Sequence, residues 1–175
     1  MGSASHHQLV FFDLETTGLD PKKGHRVIEL AAVIMDEGGI MQEYRSFVRP
    51  ERLIPVQAIK IHGITNEMLR GQPEPNVVYP ALKEIIKDIP LVAHNAKFDM
   101  AFLRQEFGML DMQLNNQSIC TLEMSRERFP NLANHKLSTV YRHLIGKSNS
   151  DIRQHRALDD ARMVAAIWLA MEGCK

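Results

Sequence analysis

The chain has no excess of charge of either sign: 21 Lys and Arg balance 21 Asp and Glu over 175 residues, a formal net charge of zero. That balance excludes long-range attraction to nucleic acid as an organising property, so any nucleic-acid contact must be local. Cysteine is nearly absent. Cys120 and Cys174 are the only two. Two separated thiols make neither a disulfide framework nor a zinc site, which fits a reducing, cytoplasmic setting. No window approaches the about 18 consecutive apolar residues of a membrane span, so no membrane partner is expected. No secretory leader, internal repeat, low-complexity tract or linker is read either. A nucleotide phosphate loop and a serine nucleophile elbow are also missing, which removes two common routes to phosphate or acyl chemistry.

What is present is enough apolar material for one domain with a sizeable core: hydrophobic residues make up 45% of the chain and charged residues 24%, the proportions of a soluble globular protein. Residues 1–7 (MGSASHH) read as vector-derived or as a disordered start, and residues 8–175 as the folded domain. Leu9–Phe12 is a continuous apolar run, expected of a central strand buried on both faces. Val27–Met35 is a second strand. Asp36-Glu37-Gly38-Gly39 is a hairpin signal, with Ile40–Val48 as the antiparallel return strand. Helical spacing of apolar residues then predicts helices over 76–87, 97–107, 135–145 and 159–171. Ile89–Ala93 and Ser118–Thr121 read as short strands between them. Three strands followed by strand–helix alternation predict an α/β layered domain around one mixed sheet.

The candidate chemistry starts at Asp13-Leu14-Glu15, which closes the first apolar run. Side chains one residue apart on a strand point the same way, so two carboxylates face one spot and repel unless a cation lies between them. In open α/β sheets ligands gather at the carboxyl ends of strands, where this pair sits. Asp99 follows the Leu91–Ala93 strand in the first turn of a helix. A parallel neighbour of the first strand would bring it to Asp13. Asp159 and Asp160 open the last helix, one as a cap and the other as a ligand. His155 lies just before them, and histidine is the residue type suited to proton transfer at neutral pH. Carboxylates and a histidine from three separated segments suit metal-assisted hydrolysis. Hard divalent cations such as Mg²⁺ or Mn²⁺ prefer carboxylate oxygens and water, and two such ions stabilise both oxygens of a phosphodiester displacement.

Three motifs carry a resemblance to a known family. Phe12-Asp13-Leu14-Glu15-Thr16-Thr17-Gly18-Leu19 resembles the first motif of the DnaQ-like 3'-5' exonucleases. Asn95-Ala96-Lys97-Phe98-Asp99 resembles their second. His155-Arg156-Ala157-Leu158-Asp159-Asp160 resembles the third, in its histidine-bearing (DEDDh) form. Val27 to Val33, Ile61 to Thr65, Cys120 to Glu123 and His135 to Leu137 match further family segments. The resemblance spans nearly everything from Leu9 to Ala170. It implies a ribonuclease H-like fold, a mixed five-stranded sheet with its second strand antiparallel and helices on both faces.

The resemblance also implies roles. Asp13 would bridge two metal ions, Mg²⁺ or Mn²⁺. Glu15 and Asp160 would complete the inner site, Asp99 would hold the second ion through water, and His155 would deprotonate the attacking water. The product would be a 5'-mononucleotide from a 3' end. The backbone amides of Thr16 and Thr17 would receive the terminal 3'-hydroxyl. Leu19 would wedge against the terminal base, or else be a core leucine. His62 would approach the nucleotide or only shape its loop, and Asn95 would orient the scissile phosphate or its neighbours. Phe98 would be a stacking platform or simply core. Lys97, Lys136, Arg153 and Arg156 are the candidate local basic groups.

The implied substrate is a single-stranded DNA or RNA 3' end, with a polymerase or repair complex as a partner. An oligoribonuclease-like short-RNA exonuclease is the alternative, although that family carries methionine where Thr16 stands. Proofreading subunits carry a polymerase-binding tail, and the chain ends soon after its last helix, which weakens that assignment unless the chain is truncated. A phosphatase would use the same metals on mononucleotides. A catalytically inactive nucleic-acid-binding module would have lost one of the five active-site residues, and none is lost.

Overall fold

The computed structural model describes residues 8–146 and 155–172; Arg153, the segment 148–151 and Cys174 lie outside them. The strands are β1 (Leu9–Thr16), β2 (Val27–Asp36), β3 (Gly39–Phe47), β4 (Leu91–Ala93) and β5 (Ser118–Cys120). They form one sheet in the order β3-β2-β1-β4-β5. β2 runs antiparallel to β1 and β3, whereas β4 and β5 run parallel to β1. The mixed sheet read from the sequence is therefore the observed one.

The helices are α1 (Val56–His62), α2 (Pro75–Ile86), α3 (Ala96–Gly108), α4 (Thr121–Arg128), α5 (Leu137–Ile145) and α6 (Ala157–Glu172). Alternation along β1 sorts its side chains to two faces. Val10, Phe12 and Leu14 pack with Tyr79, Leu82, Met100 and Phe102 of α2 and α3. Phe11 packs with Ala157, Ala161 and Ala165 of α6, and its ring meets Trp168 at 6.3 Å. Those alanines repeat every four residues and make a shallow helical ridge. Small side chains there let α6 lie close to the sheet. Asp13 and Glu15 share the Phe11 face, so the start of α6 falls beside them.

Two helices were not legible in the sequence. α4 buries Thr121 and Ser125 rather than apolar residues. Their hydroxyls meet ring nitrogens of His94 at 3.0 Å and His135 at 3.0 Å, so the inward face of α4 is polar and no hydrophobic period marks it. α1 is only seven residues long and leaves Val56 and Ile61 exposed. Its seat is a separate cluster of Ile28, Ile54, Ala58, Ile64 and Leu69. Gly63, at φ 71°, ends it in the left-handed conformation that glycine adopts without a Cβ penalty. The last helix begins at Ala157, two residues earlier than its sequence suggests. Asp159 and Asp160 therefore lie inside its first turn and neither is the cap.

β3 is the sheet edge and mostly exposed. It carries Gln42, Glu43 and Arg45, charged and polar groups that discourage pairing with another chain. Glu43 also ties the edge to α6 through Arg162, with bonds of 2.6 and 2.8 Å.

Candidate active site

The parallel pairing of β1 with β4 aligns the carboxyl ends of both strands. α3 starts immediately after β4, which puts Asp99 in its first turn at that end. The nearby backbone amides of Asp99 and Leu14 favour the charged form of the Asp99 carboxyl. Burial opposes this more strongly and holds its pKa well above the usual carboxylate range. Asp13 is raised well above that range too, first by burial and then by Asp99, Asp160, Glu15 and Glu29. Burial and the charges of Asp160, Glu29 and Asp99 push Glu15 up to about 8. Asp160 is pushed up to about 6 by burial, against the hydrogen bond that its carboxylate accepts from the His155 amide. That bond is 3.1 Å long.

The four acids named in the sequence reading thus converge, with His155 beside them. Glu15, His155 and Asp160 each offer an atom within 4.8 Å of the others. His155 is exposed and adopts φ 64°, a left-handed conformation unusual outside glycine and asparagine. Buried carboxylates this close cannot all ionise without positive charge among them. A hard divalent cation supplies that charge, and carboxylate oxygens are its preferred ligands. The donor set therefore fits Mg²⁺ or Mn²⁺.

A cavity of about 500 Å³ opens next to Glu15. Its walls include Thr16, Leu19, His25, Ile61, His62 and Phe98, and they are mainly apolar. The β1–β2 register shifts between Glu15 and Thr16, where Thr16 pairs with Val27 and Ile28 of β2 is the extra residue. Leu19 is 83% exposed, so it is not a core residue. Phe98 lines the cavity while its ring packs on Phe102 at 5.0 Å.

His62 is buried, and its Nδ1 accepts from the Ile64 amide at 3.0 Å. In the neutral ring the proton is then on Nε2, a buried donor without a well-formed partner among the described residues, although the Thr16 carbonyl lies near it. Burial lowers the His62 pKa.

Thr17 departs from its expected role. Its backbone amide donates to the Arg26 carbonyl at 2.8 Å, so it is not available to a 3'-hydroxyl. Its buried hydroxyl accepts from the Arg26 amide at 3.0 Å and meets His25 Nδ1 at 3.2 Å. Thr17 therefore locks the loop. Gly18 follows, and a Cβ there would stand 2.3 Å from the His25 ring. Thr16 Oγ1 donates to the Gly18 carbonyl at 2.7 Å, closing the same turn.

Asn95 is exposed at φ 78° and makes no side-chain cap to α3. It borders a second cavity of about 320 Å³ with His94, Arg126, His135 and Lys136. Lys97 and Lys136 are exposed, as a local basic group requires. Arg156 is not free for that role. It forms a two-pronged ion pair with Glu29 at 3.1 and 3.2 Å. Glu29 is wholly buried and was read only as part of a family segment. Its signal was in plain view: a lone acid inside the otherwise apolar run Val27–Met35, where an unpaired charge does not stay.

The exonuclease family model, RNase T, matches residues 10–168. This chain belongs to that family. It is a 3'-5' exonuclease of the DnaQ-like kind. The DNA polymerase III subunit epsilon of Rickettsia typhi is 36% identical over 171 residues, covering 94% of this exonuclease and 73% of the relative. The DNA polymerase III PolC-type protein of Clostridium perfringens is 36% identical over 161 residues, but those are 91% of this chain and only 11% of the relative. Exonuclease X, solved in complex with 5' overhanging duplex DNA, superposes with TM-score 0.76 at 29% identity, covering 95% of this chain and 92% of that one. The nuclease domain of 3'hExo, a DEDDh family member solved with rAMP, shares the fold at TM-score 0.80 and 19% identity, with 99% and 95% covered.

Proposed function

We propose that this exonuclease removes 5'-mononucleotides from single-stranded 3' ends by two-metal hydrolysis with His155 as general base, on DNA somewhat better than RNA. The observation that carries this reading is the juxtaposition of Glu15, His155 and Asp160 within 4.8 Å, beside Asp13 and Asp99 and at the mouth of an apolar cavity. Asp13, Glu15, Asp160 and Asp99 would hold Mg²⁺ or Mn²⁺, two ions per site. Bound there, the ions supply positive charge for the phosphodiester and for the departing oxygen.

The chain's own residues do the rest. The cavity takes the last nucleotide, with Leu19 and Phe98 against the base. Apolar contact of this kind tolerates any base. His62 Nε2 is a donor for an oxygen of that nucleotide. Thr16 and Asn95 bracket the terminal sugar and the phosphates that precede it. The His155 ring accepts a proton as water attacks the terminal phosphorus. The bond from phosphorus to the 3'-oxygen breaks, leaving a shortened strand with a new 3'-hydroxyl. Relatives named as DNA polymerase III proteins support DNA as substrate and association with a polymerase or repair complex.

A 5'-labelled single-stranded DNA incubated with the protein and Mg²⁺ or Mn²⁺ should shorten stepwise and release 5'-mononucleotides. No shortening, or shortening that survives Asp13→Ala, overturns the proposal. Parallel reactions on RNA and on dinucleotides decide the sugar and length preference.

A further inference from the structure

Glu29 is a fifth acid at the site, wholly buried and without a place in the proposed chemistry. It stands directly opposite Glu15 on the β1–β2 ladder and opposite Phe47 on the β2–β3 ladder. Directly paired residues share a face, so Glu15, Glu29 and Phe47 form one row across three strands. Two cations close on Glu29. Arg45 reaches its Oε1 at 2.6 Å. Arg156 grips both oxygens from the third motif, and the Ala157 amide adds a contact at 3.4 Å. Both guanidiniums lie over the Phe47 ring, at 5.3 and 5.6 Å from its centre.

The consequence falls on the residue before Arg156. His155 holds a left-handed backbone, a conformation that persists only when its surroundings over-determine it. On its N-terminal side, its amide donates to Asp160 Oδ2 at 3.1 Å. On its C-terminal side, Arg156 is fixed by Glu29 and Phe47. The fork of Arg156 matches the carboxylate in plane and spacing, which a lysine would not. The peptide that carries His155 is thus clamped at both ends.

We infer that Glu29, Arg156 and Phe47 form a positioning clamp that sets the backbone of His155 and thereby aims its imidazole at the Glu15–Asp160 edge of the site. None of the three touches the reacting atoms; they act through His155. This rests on His155 being the general base.

The test compares Arg156→Lys and Glu29→Gln in the natural background and in a His155→Ala background. Groups that act through one another are strongly non-additive. With His155 present, each variant should lower kcat about 10- to 100-fold while KM and the Mn²⁺ affinity stay within about twofold. With His155→Ala, the same variants should change the remaining rate by less than about threefold. Equal losses in both backgrounds, or a fall in Mn²⁺ affinity, overturn the clamp.

Hydrogen exchange of the His155 amide is a readout independent of activity. It should quicken at least about tenfold in Arg156→Lys, and unchanged exchange counts against the clamp. If the natural protein degrades no strand, the proposed function has failed, and the exchange result alone judges the clamp. Arg156→Lys keeps the buried charge pair, so the test stands even if Glu29→Gln fails to fold.

Discussion

Glu15 and Glu29 face each other across the β1–β2 ladder, both buried, and yet they are held in opposite ways. Glu29 is flanked by Arg45 and Arg156. Among the described residues no ion pair reaches Glu15, and its pKa is pushed up to about 8. One carboxylate is a structural charge with its counterions built in. The other meets no cation of the chain among the described residues.

That asymmetry sets a pH dependence. Glu15 and Asp160 have folded-state pKa values near 8 and 6, above their ordinary 4.5 and 3.8. A raised acid pKa means the folded state holds protons more tightly than the unfolded one. The stability it contributes is therefore complete below the ordinary value and is lost as pH rises through the folded one. Metal-free protein should lose thermal stability between pH 5 and 8 from this source. Mg²⁺ or Mn²⁺ should restore it, with a larger rise in Tm at pH 8 than at pH 5. A metal-induced shift of equal size at both pH values would contradict the cluster's role.

Glu15→Gln removes a buried charge that no ion pair among the described residues compensates. At pH 8 it should stabilise the metal-free protein by on the order of 1 kcal/mol. The same substitution should reduce exonuclease activity by at least about 100-fold and weaken Mn²⁺ binding. Denaturant melts with and without metal, beside a strand-shortening assay, read both effects.

His155→Ala should lower kcat by about 10²–10⁴-fold, the usual contribution of a general base, while Mn²⁺ still binds. Titration calorimetry separates this from a ligand role. Lost metal binding would make His155 a ligand.

The cavity beside Glu15 predicts two contrasting variants. Leu19→Ala should leave stability within about 0.5 kcal/mol, because the side chain is exposed, but raise KM severalfold. Gly18→Ala places a methyl 2.3 Å from the His25 ring. It should cost about 1–3 kcal/mol through overpacking and raise KM further, since the Thr17–His25 lock must shift. Urea melts and steady-state kinetics on one oligonucleotide distinguish them.

Much of this architecture was legible in the sequence. The apolar runs of β1 and β2, the hairpin signal and the helical periods of α2, α3, α5 and α6 match the observed elements closely. Strand parity groups Asp13 with Glu15, and a strand–helix junction brings Asp99 to them; His155 and Asp160 join through the resemblance of their segment to the third family motif. Other features depend on partners distant in sequence. Thr17 reads as a free loop residue, but Arg26 and His25 occupy its amide and hydroxyl. Arg156 reads as a phosphate contact, but Glu29, 127 residues earlier, holds it. α4 hides because its inner face is polar. In each case a buried polar pairing decided the outcome, and such pairings have no period.

The sheet order has a consequence in time. Asp13 lies on β1 and Asp160 on α6, 147 residues later in the chain. At about 5–20 residues per second, roughly 7–30 s separate their synthesis. Phe11 cannot meet Trp168, nor Glu15 meet Asp160, before α6 has emerged and docked on its alanine ridge. A nascent or truncated chain would carry the acids without the site.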